Sequence, residues 1–93
     1  MMPRAEARHI LVDTQEECLA LKEEIANGAK FETVAQAHSK CPSSRDGGNL
    51  GEFGPGQMVP EFDKAVFSSD VGEVIGPIQT QFGWHLLEVT KRV

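Results

Sequence analysis

Between Cys41 and Gly56 the chain carries Pro42, Gly47, Gly48, Gly51, Gly54, Pro55 and Gly56. Glycine gives up too much backbone freedom in a helix and proline lacks the amide proton, so no regular helix can run through this stretch. Helices are left to the segments on either side. Inside it, only Asn49 to Phe53 keeps enough side chain for a brief strand.

The flanking segments have their own periodicities. Ala7 to Val12 alternates as a strand, with Ala7, His9 and Leu11 on one face and Arg8, Ile10 and Val12 on the other. Thr14 and Glu17 form a capping box, and Gly28 suits a left-handed helix end, which predicts a helix from about Gln15 to Asn27. Its buried stripe is Cys18, Leu21 and Ile25. Phe31, Val34, Ala35 and His38 repeat the spacing in a second, shorter helix, weakly started because Lys30 is a poor cap. Pro60 fits a first helical turn, with Phe62, Ala65 and Val66 on one face of a helix ending near Phe67. Val74 to Gln79 and Trp84 to Thr90 predict two strands joined by a turn at Gln81-Phe82-Gly83. The expected fold class is therefore α+β, with helices packed on a small antiparallel sheet.

At 93 residues the chain is expected to form a single domain over 1–93. Area scaling gives about 64 % of its surface buried on folding, enough without metal or disulfide staples. Nine basic against fourteen acidic residues leave a net charge of −5, with no basic face. Nucleic acid is accordingly not an expected partner. No apolar run suggests a signal peptide or a membrane span, and the expectation is a soluble cytoplasmic monomer without a membrane partner. Cys18 and Cys41 lack zinc-site spacing and fit thiols in a reducing compartment. Cys18 is expected as a small core hydrophobe and His38 as a structural residue on a buried helix stripe.

Two strands carry a histidine ahead of an aliphatic pair, His9-Ile10-Leu11 and His85-Leu86-Leu87. Two imidazoles titrating near neutrality could meet if those strands are neighbours in the sheet.

Arg8-His9-Ile10-Leu11-Val12, His38-Ser39-Lys40-Cys41-Pro42-Ser43, Gly47-Gly48-Asn49-Leu50-Gly51, Gly56-Gln57-Met58-Val59-Pro60, Phe62 and Gln81-Phe82-Gly83-Trp84-His85 together resemble the parvulin, or PpiC-type, peptidyl-prolyl cis/trans isomerases. The resemblance covers essentially the whole chain and is strongest to the small single-domain bacterial parvulins. It implies a four-stranded antiparallel sheet surrounded by about four helices, rotation about X-Pro bonds as the activity, no cofactor and no metal, and proline-containing polypeptides in unfolded or flexible segments as partners. It also implies His9, Cys41 and His85 as catalytic residues. Leu50, Met58 and Phe62 would hold the proline ring, Thr80 would bond within the histidine network, and Gln57 and Phe82 would line the rim. Relatives selective for phosphorylated residues carry a long basic loop after the first strand. Here the join is Asp13-Thr14, with no guanidinium fork for a phosphate, so uncharged or hydrophobic residues are expected before proline.

Three other function classes use the same residues. A Cys-His thiol hydrolase would need an oxyanion hole and an orienting group, for which nothing stands out. A metal site from His9, Cys41, His85 and His38 would have scattered spacing. A peptide-binding chaperone would use the same apolar groove without catalysis.

Overall fold

The computed structural model describes residues 4–54, 56–58 and 60–92. Pro55 and Val59, which the sequence reading used, lie outside them. Strand β1 (Ala5–Val12) leads into helices α1 (Gln15–Ala26) and α2 (Phe31–His38), then a 3₁₀ turn (Pro42–Asp46) and β2 (Asn49–Phe53). Helix α3 (Pro60–Ser68), β3 (Val74–Thr80) and β4 (Gly83–Arg92) follow. All strand pairs are antiparallel, in the order β2-β1-β4-β3. The first and last strands in sequence thus lie side by side at the centre. The expected α+β fold is present, with three α-helices and one 3₁₀ turn among the described residues. It falls in the stretch where a regular helix was excluded, because bonds from Ser44 N–H to the Cys41 carbonyl and from Gly47 N–H to the Ser44 carbonyl need only one tight turn.

Helix α1 begins where Thr14 Oγ1 accepts the Glu17 N–H at 3.2 Å. It ends one residue before the expected limit. Asn27 caps it, Gly28 turns left-handed at φ 115°, and Gly28 and Ala29 donate back to the Ile25 and Glu24 carbonyls. Proline is tolerated in β3 because that strand lies at the sheet edge, where its pairing with β4 shifts register between Ile75 and Ile78.

Each sheet face has its own core. Ile10, Val12 and Leu86 pack with Cys18 and Leu21 of α1 and Phe31, Val34 and Ala35 of α2. Ala5, Ala7, Leu87 and Val89 pack on the opposite face with Phe53 and with Phe62 and Val66 of α3. Arg8 holds the first face at its margin, with Nε 2.5 Å from Glu88 and Nη1 2.7 Å from Glu32, and its guanidinium over the Phe31 ring. Burial pushes the Cys18 thiol up to about 11, as befits a core residue. His38 departs from its expected place on the α2 stripe. The side chain is exposed, because α2 ends there and the chain turns away through Ser39 in extended conformation.

Candidate active site

The floor of the site is built from the two central strands. Leu11 pairs with His85 and His9 with Leu87, so the two histidines are diagonal neighbours on the α3 face. Their Nδ1 atoms are 3.3 Å apart and their rings lie within 14° of parallel. His85 Nε2 is 2.7 Å from Thr80 Oγ1, and that hydroxyl also accepts the Phe82 N–H at 3.2 Å. Thr80 and Phe82 belong to the tight hairpin between β3 and β4, so the turn that starts the His85 strand also orients its ring. Phe62 of α3 stands edge-on to both imidazoles, with centroids 4.6 Å from His85 and 5.6 Å from His9.

At 5 % and 3 % exposure, neither His9 nor His85 can hydrate a positive charge. Burial, reinforced by the neighbouring His85, pushes His9 down to about 4, and burial lowers His85 as well. Both rings are therefore neutral at pH 7. Two proton arrangements satisfy the row. In one, the Thr80 hydroxyl donates to His85 Nε2 and His85 Nδ1–H donates to His9. In the other, both donations reverse. Either way the floor is polar but uncharged.

The backbone around His9 is set by the glycine-rich stretch, which does more than turn the chain. His9 N–H donates to the Gly48 carbonyl at 2.9 Å, and a Cβ on Gly48 would lie 2.2 Å from the His9 carbonyl oxygen. Only glycine allows that approach at its φ of 85°. Farther along β1, Leu11 N–H donates to Ser39 Oγ at 3.0 Å and the Lys40 N–H to the Leu11 carbonyl at 2.9 Å. Residues 39 and 40 thus line up beside the end of β1, beyond the reach of β2, and bring Cys41 and Pro42 to the site. A cavity of about 370 Å³ results, lined by His9, Leu11, Lys40, Cys41, Pro42, Leu50, Met58, Phe62, Thr80, Phe82 and His85. Its walls are apolar apart from the floor, the Cys41 thiol and the Lys40 side chain.

A family model for rotamases, the PPIC-type PPIase domain, matches residues 5–91. The chain belongs to the PPIC-type peptidyl-prolyl isomerase family. It is 45% identical over 95 residues to the chaperone SurA of Thiobacillus denitrificans, covering 92% of this chain and 22% of that protein. Among solved structures it superposes on the peptidylprolyl isomerase PrsA of Bacillus anthracis with a TM-score of 0.95 at 34% identity, covering 99% of this chain and 43% of the other. NmPin, the parvulin of Nitrosopumilus maritimus, matches at a TM-score of 0.85 and 39% identity, with 96% of this chain and 97% of that one covered. The chain spans about a fifth of the length of the SurA proteins it matches.

Set beside the family expectation, His9, Cys41, His85, Leu50, Met58, Phe62, Thr80 and Phe82 converge on one cavity. Phe82, 63% exposed at the hairpin tip, stands at its mouth. Gln57 is the exception. Its Oε1 accepts the Gly54 N–H at 2.9 Å, so the amide closes its own loop and does not line the cavity. Leu11, Lys40 and Pro42 were not anticipated. Strand alternation already put Leu11 on the His9 face, but the other two arrive only because the chain after α2 runs back along β1.

The geometry also weighs the other chemistries. The Cys41 thiol makes no hydrogen bond to either imidazole among the described residues, and no imidazolium stands by to hold a thiolate, so the ion pair that activates a thiol nucleophile is not formed. His38 lies outside the cavity wall, and among the described residues no group of three or more His, Cys, Asp or Glu side chains is arranged around a common ion position. A second cleft, of about 270 Å³, is lined by Glu6, Arg8, Glu32, Asp46, Gly47, Asn49 and Thr90. In its wall Arg8 pairs with Glu32, Asn49 Nδ2 donates to the Asp46 carboxylate, and Thr90 Oγ1 donates to the Glu6 carbonyl.

Proposed function

We propose that this chain accelerates cis/trans rotation about X-Pro bonds in polypeptides, without a cofactor and without forming a covalent intermediate. Rotation unaided crosses about 18–20 kcal/mol, and millisecond turnover requires lowering this by about 7 kcal/mol. At the top of the barrier amide resonance is lost, the nitrogen is pyramidal and the carbonyl is less charge-separated than in the planar form. A cavity walled by Leu50, Met58 and Phe62 accepts the twisted amide more readily than the planar one, and its grip on the proline ring turns binding energy into torsion. The observation that carries this reading is the apolar cavity seated on a neutral, mutually hydrogen-bonded histidine pair. A formal charge in the floor would favour the polar ground state instead. Cys41 serves as a wall group, and attack on the carbonyl is not required. The test is an NMR exchange or protease-coupled assay on an X-Pro peptide with and without the protein. An unchanged exchange rate at saturating protein rejects it.

The exposed phenyl of Phe82 and the absence of a basic β1–α1 loop support a preference for uncharged, hydrophobic residues before proline. Matched peptides with leucine, glutamate and phosphoserine at that position test it, and faster turnover of the acidic peptides defeats it. Unfolded or flexible proline-containing segments are the partners this cavity fits. The chaperone relative favours a second reading, in which the same cavity holds peptide without turning it over, and the rate measurement separates the two. We also infer a monomer in a reducing, cytoplasmic setting. The free thiols of Cys18 and Cys41 support the compartment, while sedimentation of the purified chain and thiol labelling in cells test the two points.

A further inference from the structure

Among the described residues Lys40 supplies the only cation in the cavity wall. Its backbone is pinned by the bond to the Leu11 carbonyl, and its Nζ donates to the carboxylate of Asp13. Asp13 sits in the short join between β1 and α1 and is not part of the wall. Hydrogen bonding to Asp13, with Glu17 adding its field, raises Lys40 above its ordinary value, so the ammonium stays charged. Both side chains are more than half exposed, at 53% and 64%. Lys40 thus lines the cavity while its charge is answered by a carboxylate that does not. A lysine head is a compact charge on a flexible four-carbon stem, and one released from its carboxylate can swing to another anion within reach.

We propose that Asp13 determines substrate specificity by holding Lys40 away from the cavity mouth, and that Lys40 is a masked subsite for an anionic side chain next to the proline. The inference rests on the isomerase reading and assigns the origin of its charge preference. The test compares wild type, Asp13→Asn, and Asp13→Asn combined with Lys40→Met, each with Leu-Pro and Glu-Pro peptides. Both kcat/KM and Kd by NMR titration are measured. Exposed ion pairs couple weakly, so the Glu-to-Leu ratio is expected to rise about two- to fivefold in Asp13→Asn. The rise should vanish near about 0.5 M salt and be missing from the double variant. A ratio within about 1.5-fold of wild type at low salt, well below the expected coupling, overturns the proposal. So does a rise that survives Lys40→Met. If wild type turns over neither peptide, the isomerase reading fails while the Kd ratio still decides on Asp13, and absence of any peptide binding refutes both. Because the pair lies at the surface, the single variant is expected to keep its fold, which circular dichroism checks.

Discussion

Acidification should unfold this protein through its active-site floor. His9 has a folded value of about 4 against 6.5 for an ordinary histidine. The folded chain therefore binds fewer protons than the unfolded one, and each added proton favours unfolding. The contribution is fully present above about pH 6.5, shrinks as the pH falls, and is exhausted below about pH 4. Between pH 7 and pH 5, a single site with these two values loses about 2 kcal/mol. For a domain of this size that is a fall in Tm of roughly 10 °C. His85, lowered in the same direction by burial, adds to it. The assay is thermal unfolding followed by circular dichroism from pH 8 to pH 4.5, on wild type and on His9→Asn, whose amide stays neutral throughout. The variant starts less stable at pH 7 and loses less on acidification. A wild-type Tm that is flat from pH 7 to pH 5, or a His9→Asn curve parallel to wild type, would refute the assignment of a neutral buried pair.

Other outcomes follow from single contacts. Gly48→Ala forces a Cβ against the His9 carbonyl at a left-handed φ, and should cost at least about 2 kcal/mol by urea unfolding. Cys41→Ala is expected to retain measurable isomerisation, and mass spectrometry of wild type under turnover should show no adduct of the thiol with the substrate carbonyl. Loss of all activity together with a trapped adduct would establish nucleophilic catalysis instead. Thr80→Val leaves both His85 Nε2 and the Phe82 N–H without the hydroxyl, and should lower stability by about 1–2 kcal/mol while reducing kcat. Phe62→Ala removes a core side chain and a cavity wall together, with an expected loss of about 3–4 kcal/mol and a raised KM.

The element order was legible because each element carries a local signal. The Thr14 hydroxyl, Gly28 and the 3.6-residue stripes mark helices, and alternation at residues 7–12 marks a strand, all from interactions within a few residues. What those signals lack is the direction in which an element runs out of partner. His38 repeats the α2 stripe faultlessly yet is exposed, because the helix ends there and the chain leaves through Ser39 in extended conformation. Gln57 sits inside a family motif yet bonds its own loop, since an amide near a free backbone N–H finds the closest partner. Lys40 and Pro42 entered the cavity unannounced for a related reason: the path of the chain beyond α2 is decided by hydrogen bonds to β1, which no local pattern records.

The amino-acid order by itself determined which residues could form helices and strands, placed His9 and His85 each on a definite strand face, and barred helix from the glycine-rich middle. Tertiary structure alone decided that β1 and β4 are neighbours, with the register that sets Leu11 opposite His85. That pairing brings together imidazoles from opposite ends of the chain and buries them under Phe62. The physical reason is range. Backbone conformation is chosen by neighbours a few residues away, whereas the neutrality of the histidine pair is created by dehydration, and dehydration exists only once α3 has covered that face of the sheet.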